Sequence, residues 1–214
     1  MNKKKIAFLF DVKNLWIRKY INTNTIVNYK NKYAFYFFFD YKKVKNFDVV
    51  FVLGYTRILK KIFLKKNKLS LVVHESNLPK GRGSAPIQWQ LLDKKKKITF
   101  CLIIINQKVD QGDIILKDYV VFKGHELNDE IRMIQAKKTV KIINKFLKSF
   151  PKFVKTKQKG KSTFYRRRNV SDSELDINKS LKEQFNLLRV CDNNRYPSFF
   201  FYKKNKYILK IYKA

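Results

Sequence analysis

Acidic residues are scarce: the 214-residue chain holds 16 Asp and Glu against 49 Lys and Arg, a formal charge of +33. Cysteine is nearly absent. Cys101 sits in an apolar run and Cys191 ends an amphipathic one, so both read as small buried hydrophobes. Two cysteines so placed exclude a disulfide framework and a zinc motif, and a reducing cytoplasm is the expected compartment. No metal site is expected. Long apolar runs are also missing. The basic start, Met1 to Lys5, is followed only by Ile6 to Phe10 before Asp11, too little for a signal peptide. No run approaches the roughly 18 residues of a membrane span. Histidine occurs only at 74 and 125, which narrows the search for acid–base chemistry to two positions.

What is present is enough for a real core. Hydrophobic residues make up 45% of the chain, which excludes a disordered protein and allows one ordinary domain with a small appendage. The positive charge would suit a polyanionic partner such as nucleic acid or a phosphorylated substrate. However, the basic residues are spread along the chain. Lys, Asn, Ile, Phe and Tyr are also the residues an AT-rich coding sequence favours. Compositional drift therefore accounts for most of the excess, and nucleic acid is expected to bind only non-specifically and with salt dependence.

Strand-length apolar runs occur at Ile6–Phe10, Tyr33–Phe39, Asp48–Leu53, Leu69–Val73, Ile98–Ile105 and Ile114–Phe122, the last two as an antiparallel pair. Helices are expected over Leu15–Tyr29, Thr56–Lys66 and Pro86–Leu92, the last opened by proline at its first position. The clearest helix begins near Glu126–Asn128, repeats Ala136, Val140, Ile143, Leu147 and Phe150 at steps of four and three, and stops before Pro151. Strands separated by helix-length connections predict an α/β fold with a mostly parallel, doubly covered sheet. This domain spans 1–151. A lysine-rich linker follows at 152–161. A small α+β appendage occupies 162–214, with a helix over Ser180–Val190 and a hairpin turning at Lys203-Lys204-Asn205.

One stretch organises the rest: Leu71-Val72-Val73-His74-Glu75-Ser76-Asn77-Leu78-Pro79-Lys80-Gly81-Arg82-Gly83-Ser84-Ala85-Pro86. A buried strand ends on a histidine, a glycine-broken basic loop follows, and a helix opens. Strand ends of this kind are where α/β sheets place their chemistry. Asp110 lies on the turn after the next long strand. Neighbouring parallel strands deliver their ends to one edge, which would bring its carboxylate to His74 as a general acid–base unit. His125, beside Gly124 at a helix start, reads as a capping or surface residue.

His74-Glu75-Ser76-Asn77-Leu78-Pro79-Lys80-Gly81-Arg82-Gly83-Ser84-Ala85-Pro86 resembles the H-x-S-x-L-P-x-x-R-G-x-x-P signature of the 10-formyltetrahydrofolate-dependent formyltransferases. Val109-Asp110-Gln111-Gly112-Asp113 resembles that family's D-x-G turn. The tail is similar to the compact enzymes that formylate nucleotide-linked amino sugars. It carries Tyr165-Arg166-Arg167-Arg168, Asp172 to Asp176 and Leu188 to Pro197. The resemblance implies a Rossmann-like formyltransferase fold with His74 and Asp110 as catalytic pair and Ser76 and Ser84 as oxyanion or loop candidates. It implies a folate pocket at Gly54, Tyr55, Ile58, Leu59, Pro79 and Gly83, and substrate contacts from Lys80, Arg82, Arg166 and Arg167. The donor would be 10-formyltetrahydrofolate. The acceptor would be the amine of a nucleotide-linked sugar of the 4-amino-4,6-dideoxy type, used for surface polysaccharide. Methionyl-tRNA formylation and a catalytically dead basic RNA-binding protein are the alternatives, and a homodimer is left open. Where the family carries asparagine two residues before the histidine, this chain has Val72. Losing one such oxyanion donor typically costs about 3–4 kcal/mol, so another donor is expected to substitute, with Ser84 a candidate.

Overall fold

The computed structural model describes residues 3–12, 14–21, 29 and 31–214. In chain order the strands are β1 (Lys4–Phe10), β2 (Tyr33–Phe38), β3 (Val49–Leu53), β4 (Ser70–His74), β5 (Arg82–Gly83), β6 (Lys97–Ile104), β7 (Ile114–Val121), β8 (Phe164–Tyr165), β9 (Ser198–Tyr202) and β10 (Asn205–Leu209). The α-helices are α1 (Lys61–Lys65), α2 (Pro86–Leu92), α3 (Asn128–Ser149) and α4 (Leu181–Val190).

The main sheet has the order β2-β1-β3-β4-β6-β7. Its first four strands are mutually parallel. β6 is antiparallel to β4, and β7 to β6. The near-continuous apolar runs of β1 and β3 follow from burial on both faces. Ile6, Phe8 and Phe10 face one apolar cluster while Ala7 and Leu9 face another. α3 covers the first face, where Phe146 meets Phe51 edge-on at 5.8 Å. The four-three repeat of α3 supplies that contact: Ala136, Ile143 and Leu147 are fully buried and Val140 partly. Asp129 and Glu130 occupy its first turn, where the helix dipole favours anions.

Two expected helices are shorter than the sequence pattern suggests. Thr56–Lys66 reduces to α1, with residues 56–60 non-helical and the Thr56 N–H donating to the Asp11 carboxylate at 3.0 Å. The first turn of α1 has no acidic residue and its N-cap no side-chain bond, so nothing extends it backwards. Leu15–Tyr20 is a 3-10 helix, and residues 22–28 of the expected helix lie outside the described residues. The hairpin forms with β9 and β10 joined at Lys203 and Lys204, both with left-handed φ of 46° and 66°, the geometry of a tight two-residue turn.

Residues 152–161, which composition suggests as a linker, run across the molecule as a strap. Thr156 exchanges both backbone bonds with Ile114 at 2.8 Å, and the chain continues into β8, which pairs with β5. Among the described residues, no helix is long and apolar enough to cross a membrane.

Candidate active site

β4 carries His74 to the carboxyl edge of the parallel strands. The residue is 6% exposed, and its Nε2 lies 2.7 Å from the Gly81 carbonyl oxygen. A carbonyl only accepts, so Nε2 holds the hydrogen and Nδ1 is the nitrogen left for chemistry. Nδ1 lies 3.6 Å from Asp110 Oδ2, a charge contact rather than a hydrogen bond. A proton reaching Nδ1 therefore creates an imidazolium facing a carboxylate.

Asp110 arrives by a different route from the one the sequence suggests. β6 is antiparallel to β4, pairing Cys101 with His74 and Ile104 with Leu71, so its C-terminal end points away from the histidine. The loop after it folds back. Gly112 makes this turn possible, since a Cβ there would stand 1.5 Å from the Ile104 carbonyl oxygen. Asp110 adopts a left-handed φ of 52°, which costs a non-glycine residue about 1–2 kcal/mol. The surroundings hold it there. The Gly83 N–H donates to Oδ2 at 2.9 Å, and Gln158 Nε2 donates to the carbonyls of Asp110 and Gly112 at 2.7 and 2.8 Å. Arg82, expected to meet substrate, instead donates to Gln158 Oε1 at 2.7 Å.

A cavity of about 690 Å³ opens beside this pair, a usual size for a small-molecule site. It lies beyond the carboxyl ends of β1, β3 and β4, where the strand order reverses. Gly54, Tyr55, Ile58 and Leu59 line it with Val52 and Ile104, forming a largely apolar wall. Gly83, Ser84 and Arg167 line it too, whereas Ser76, Pro79, Lys80, Arg82 and Arg166 do not. Arg166 is committed elsewhere. It forms a two-pronged pair with Asp172, one prong at 2.7 Å, and stacks over Trp89 at 4.8 Å. Val72 lines the cavity while packing against Leu78, Cys101, Ile103 and Ile114. The N–H groups of Gly83 and Ser84 are spent on Asp110 and on the Tyr165 carbonyl. On this side the candidate oxyanion donors are therefore the side chains of His74 and Ser84.

The opposite wall escaped the sequence reading. Asn128, Arg132, Gln135 and Thr139 of α3 all face the cavity. Their four-three-four spacing matches that of the apolar stripe, and this is the signal that could have revealed them. Glu75 joins them, its Oε1 accepting from Gln135 Nε2 at 2.6 Å, and burial pushes its carboxyl above the usual range. Gln135 Oε1, Thr139 Oγ1 and Trp16 Nε1 are buried without a hydrogen-bond partner among the described residues. Each such group costs about 1–3 kcal/mol.

A strand-end histidine in contact with a carboxylate beside a ligand-sized cavity is an arrangement that can perform acid–base chemistry. Residues 38–147 match the family model described as Formyl transferase, and the chain belongs to that family of enzymes. It is 33% identical over 172 residues to a methionyl-tRNA formyltransferase of Orientia tsutsugamushi, covering 78% of this chain and 54% of that protein. The chain thus spans about half the length of the curated relatives it matches. A solved methionyl-tRNA formyltransferase from Clostridium thermocellum superposes with a TM-score of 0.84 at 24% identity, over 99% of this chain and 93% of that one. A 4-N formyltransferase from Francisella tularensis superposes with a TM-score of 0.66 at 18% identity, over 99% of both chains.

Proposed function

We propose that the protein transfers the formyl group of 10-formyltetrahydrofolate to the amine of a nucleotide-linked 4-amino-4,6-dideoxy sugar. The observation that carries this reading is the His74–Asp110 contact on the wall of the 690 Å³ cavity. The apolar wall around Tyr55 and Ile58 suits a flat pterin. The neutral amine attacks the formyl carbon, and positively charged His74 stabilises the oxygen that gains charge. Its Nδ1 proton then passes to the departing folate nitrogen as the C–N bond breaks, and the proton shed by the attacking nitrogen returns to Nδ1. Asp110 orients the ring and offsets its charge. Holding both reactants against one histidine supplies much of the rate.

The sugar acceptor is favoured because the tail that resembles the sugar enzymes builds part of the cavity. Arg167, Arg168, Asp192 and Arg195 line it. Formylation of methionyl-tRNA is the second reading, favoured by the identity to the curated relatives. The test offers 10-formyltetrahydrofolate with either a nucleotide-linked 4-amino sugar or charged initiator tRNA, and reads the formyl amide by mass spectrometry. Transfer to the sugar, abolished by His74→Ala and by Asp110→Ala, is expected. Transfer only to tRNA would replace the acceptor, and salt-dependent RNA binding with no transfer to any amine would overturn the enzyme reading.

A further inference from the structure

We propose that the α3 wall of the cavity holds the amine-bearing ring of the acceptor, with Glu75 as the carboxylate that contacts the amine and removes its proton. This rests on the formyl-transfer reading and assigns a subsite within it.

The wall is unfinished in a specific way. Thr139 is 1% exposed and Gln135 8%, yet the Thr139 hydroxyl and Gln135 Oε1 have no partner among the described residues. Trp16 Nε1 is equally unmatched. The set comprises one donor, one acceptor and one hydroxyl that serves as either. Ring hydroxyls both donate and accept, so a sugar pressed against this wall offers each of the three a partner once a small side-chain movement uncovers it, whereas a hydrocarbon ligand offers none. Glu75 is fixed at both ends. Its carbonyl accepts from Gln90 Nε2 at 2.7 Å and its Oε1 from Gln135. No hydrogen bond from another described residue reaches Oε2.

An alkyl amine reaches the site mainly as ammonium, which has no lone pair to attack with. Glu75 accepts one ammonium proton, giving the neutral amine and a neutral carboxylic acid. The freed pair then forms the new C–N bond. Burial raises the proton affinity of Glu75, while His74 beside it and Arg132 across the wall oppose that. Asp192 and Arg195 close the far side.

The test compares wild type, Glu75→Gln and Thr139→Val for transfer to the amino sugar across pH, with tetrahydrofolate and sugar affinities measured by calorimetry. Glu75→Gln is expected to lower kcat/KM about 100-fold at neutral pH. The loss should shrink as pH rises and the amine loses its proton unaided, with tetrahydrofolate affinity unchanged. Thr139→Val is expected to raise the sugar KM several-fold and leave kcat in place. Unchanged folate affinity in both variants also shows that they fold. An active wild type matched by Glu75→Gln in rate and pH profile would overturn this inference alone. So would variants that weaken folate rather than sugar. A wild type that neither binds nor formylates an amino sugar overturns both readings.

Discussion

The two walls beside β4 are built on opposite terms. On the His74 wall the groups that hold His74 and Asp110 are matched within the chain, although Ser76 Oγ nearby is buried without a partner among the described residues. Gly81 takes Nε2, Gly83 and Gln158 hold Asp110, and Arg82 holds Gln158. On the opposite wall three buried polar atoms, on Gln135, Thr139 and Trp16, have no partner among the described residues. The first wall is preorganised and spends no ligand binding energy on its own assembly. The second, on our proposal, is completed by the sugar it binds. Val73 of β4 packs in the cluster that α3 covers and Val72 in the other, and Glu75, just past the strand, meets α3 at Gln135.

The sharpest way to break this contrast is to remove the chemistry alone. His74→Ala should lower formyl transfer about 1,000-fold while leaving tetrahydrofolate affinity near wild type. An equal loss of both would mean the histidine belongs to binding. The next largest effect concerns the support of α3. Arg189 and Glu126 form a buried pair at 3.4 Å at the start of that helix, so Arg189→Ala should destabilise the protein by about 3–5 kcal/mol in urea titrations. Gly112→Ala forces a clash with the Ile104 backbone. It should cost about 1–3 kcal/mol and displace Asp110, so activity falls even where the protein stays folded. Gln158→Ala leaves both proposed catalytic side chains intact but releases the loop, and kcat should fall about tenfold with little change in melting temperature.

The smallest effect is acid sensitivity. Burial pushes the Glu126 carboxyl up, but the backbone N–H groups of Lys123, Glu126 and Gly124, with His125 beside it, together outweigh this, and its pKa is lowered in the fold. Its contribution is therefore present above the ordinary carboxylate range near about 4.3 and is lost as pH falls through the lower folded value. The stability difference between wild type and Glu126→Gln should shrink between about pH 5 and pH 3.

The strands were legible because β1, β3, β4 and β6 are buried and leave uninterrupted apolar runs. His74 was legible as the residue that ends one of them. Asp110 was identified on an assumed parallel neighbour, yet β6 is antiparallel and the carboxylate arrives through a fold-back that spacing does not encode. Gln158 was illegible because a lysine-rich stretch without periodicity carries no sign of what one carboxamide in it will meet. Asn128, Arg132, Gln135 and Thr139 were hidden by an ordinary assumption, that the polar side of an amphipathic helix faces water. Arg166 was misleading for the converse reason, since its charge is consumed by Asp172 six residues away.

The Gln158 carboxamide has a consequence for how the molecule can be cut. It spans two segments, the Asp110 turn through its nitrogen and the Arg82 loop through its oxygen, and it enters from a third part of the chain. A protease nick on either side of it would delete no catalytic atom. Both His74 and Asp110 would remain on one fragment, yet the aspartate would lose the clamp that keeps it in its left-handed conformation. The centre behaves in this respect like a knot with its free end in the tail. Intactness far downstream in sequence sets how sharply one carboxylate is aimed.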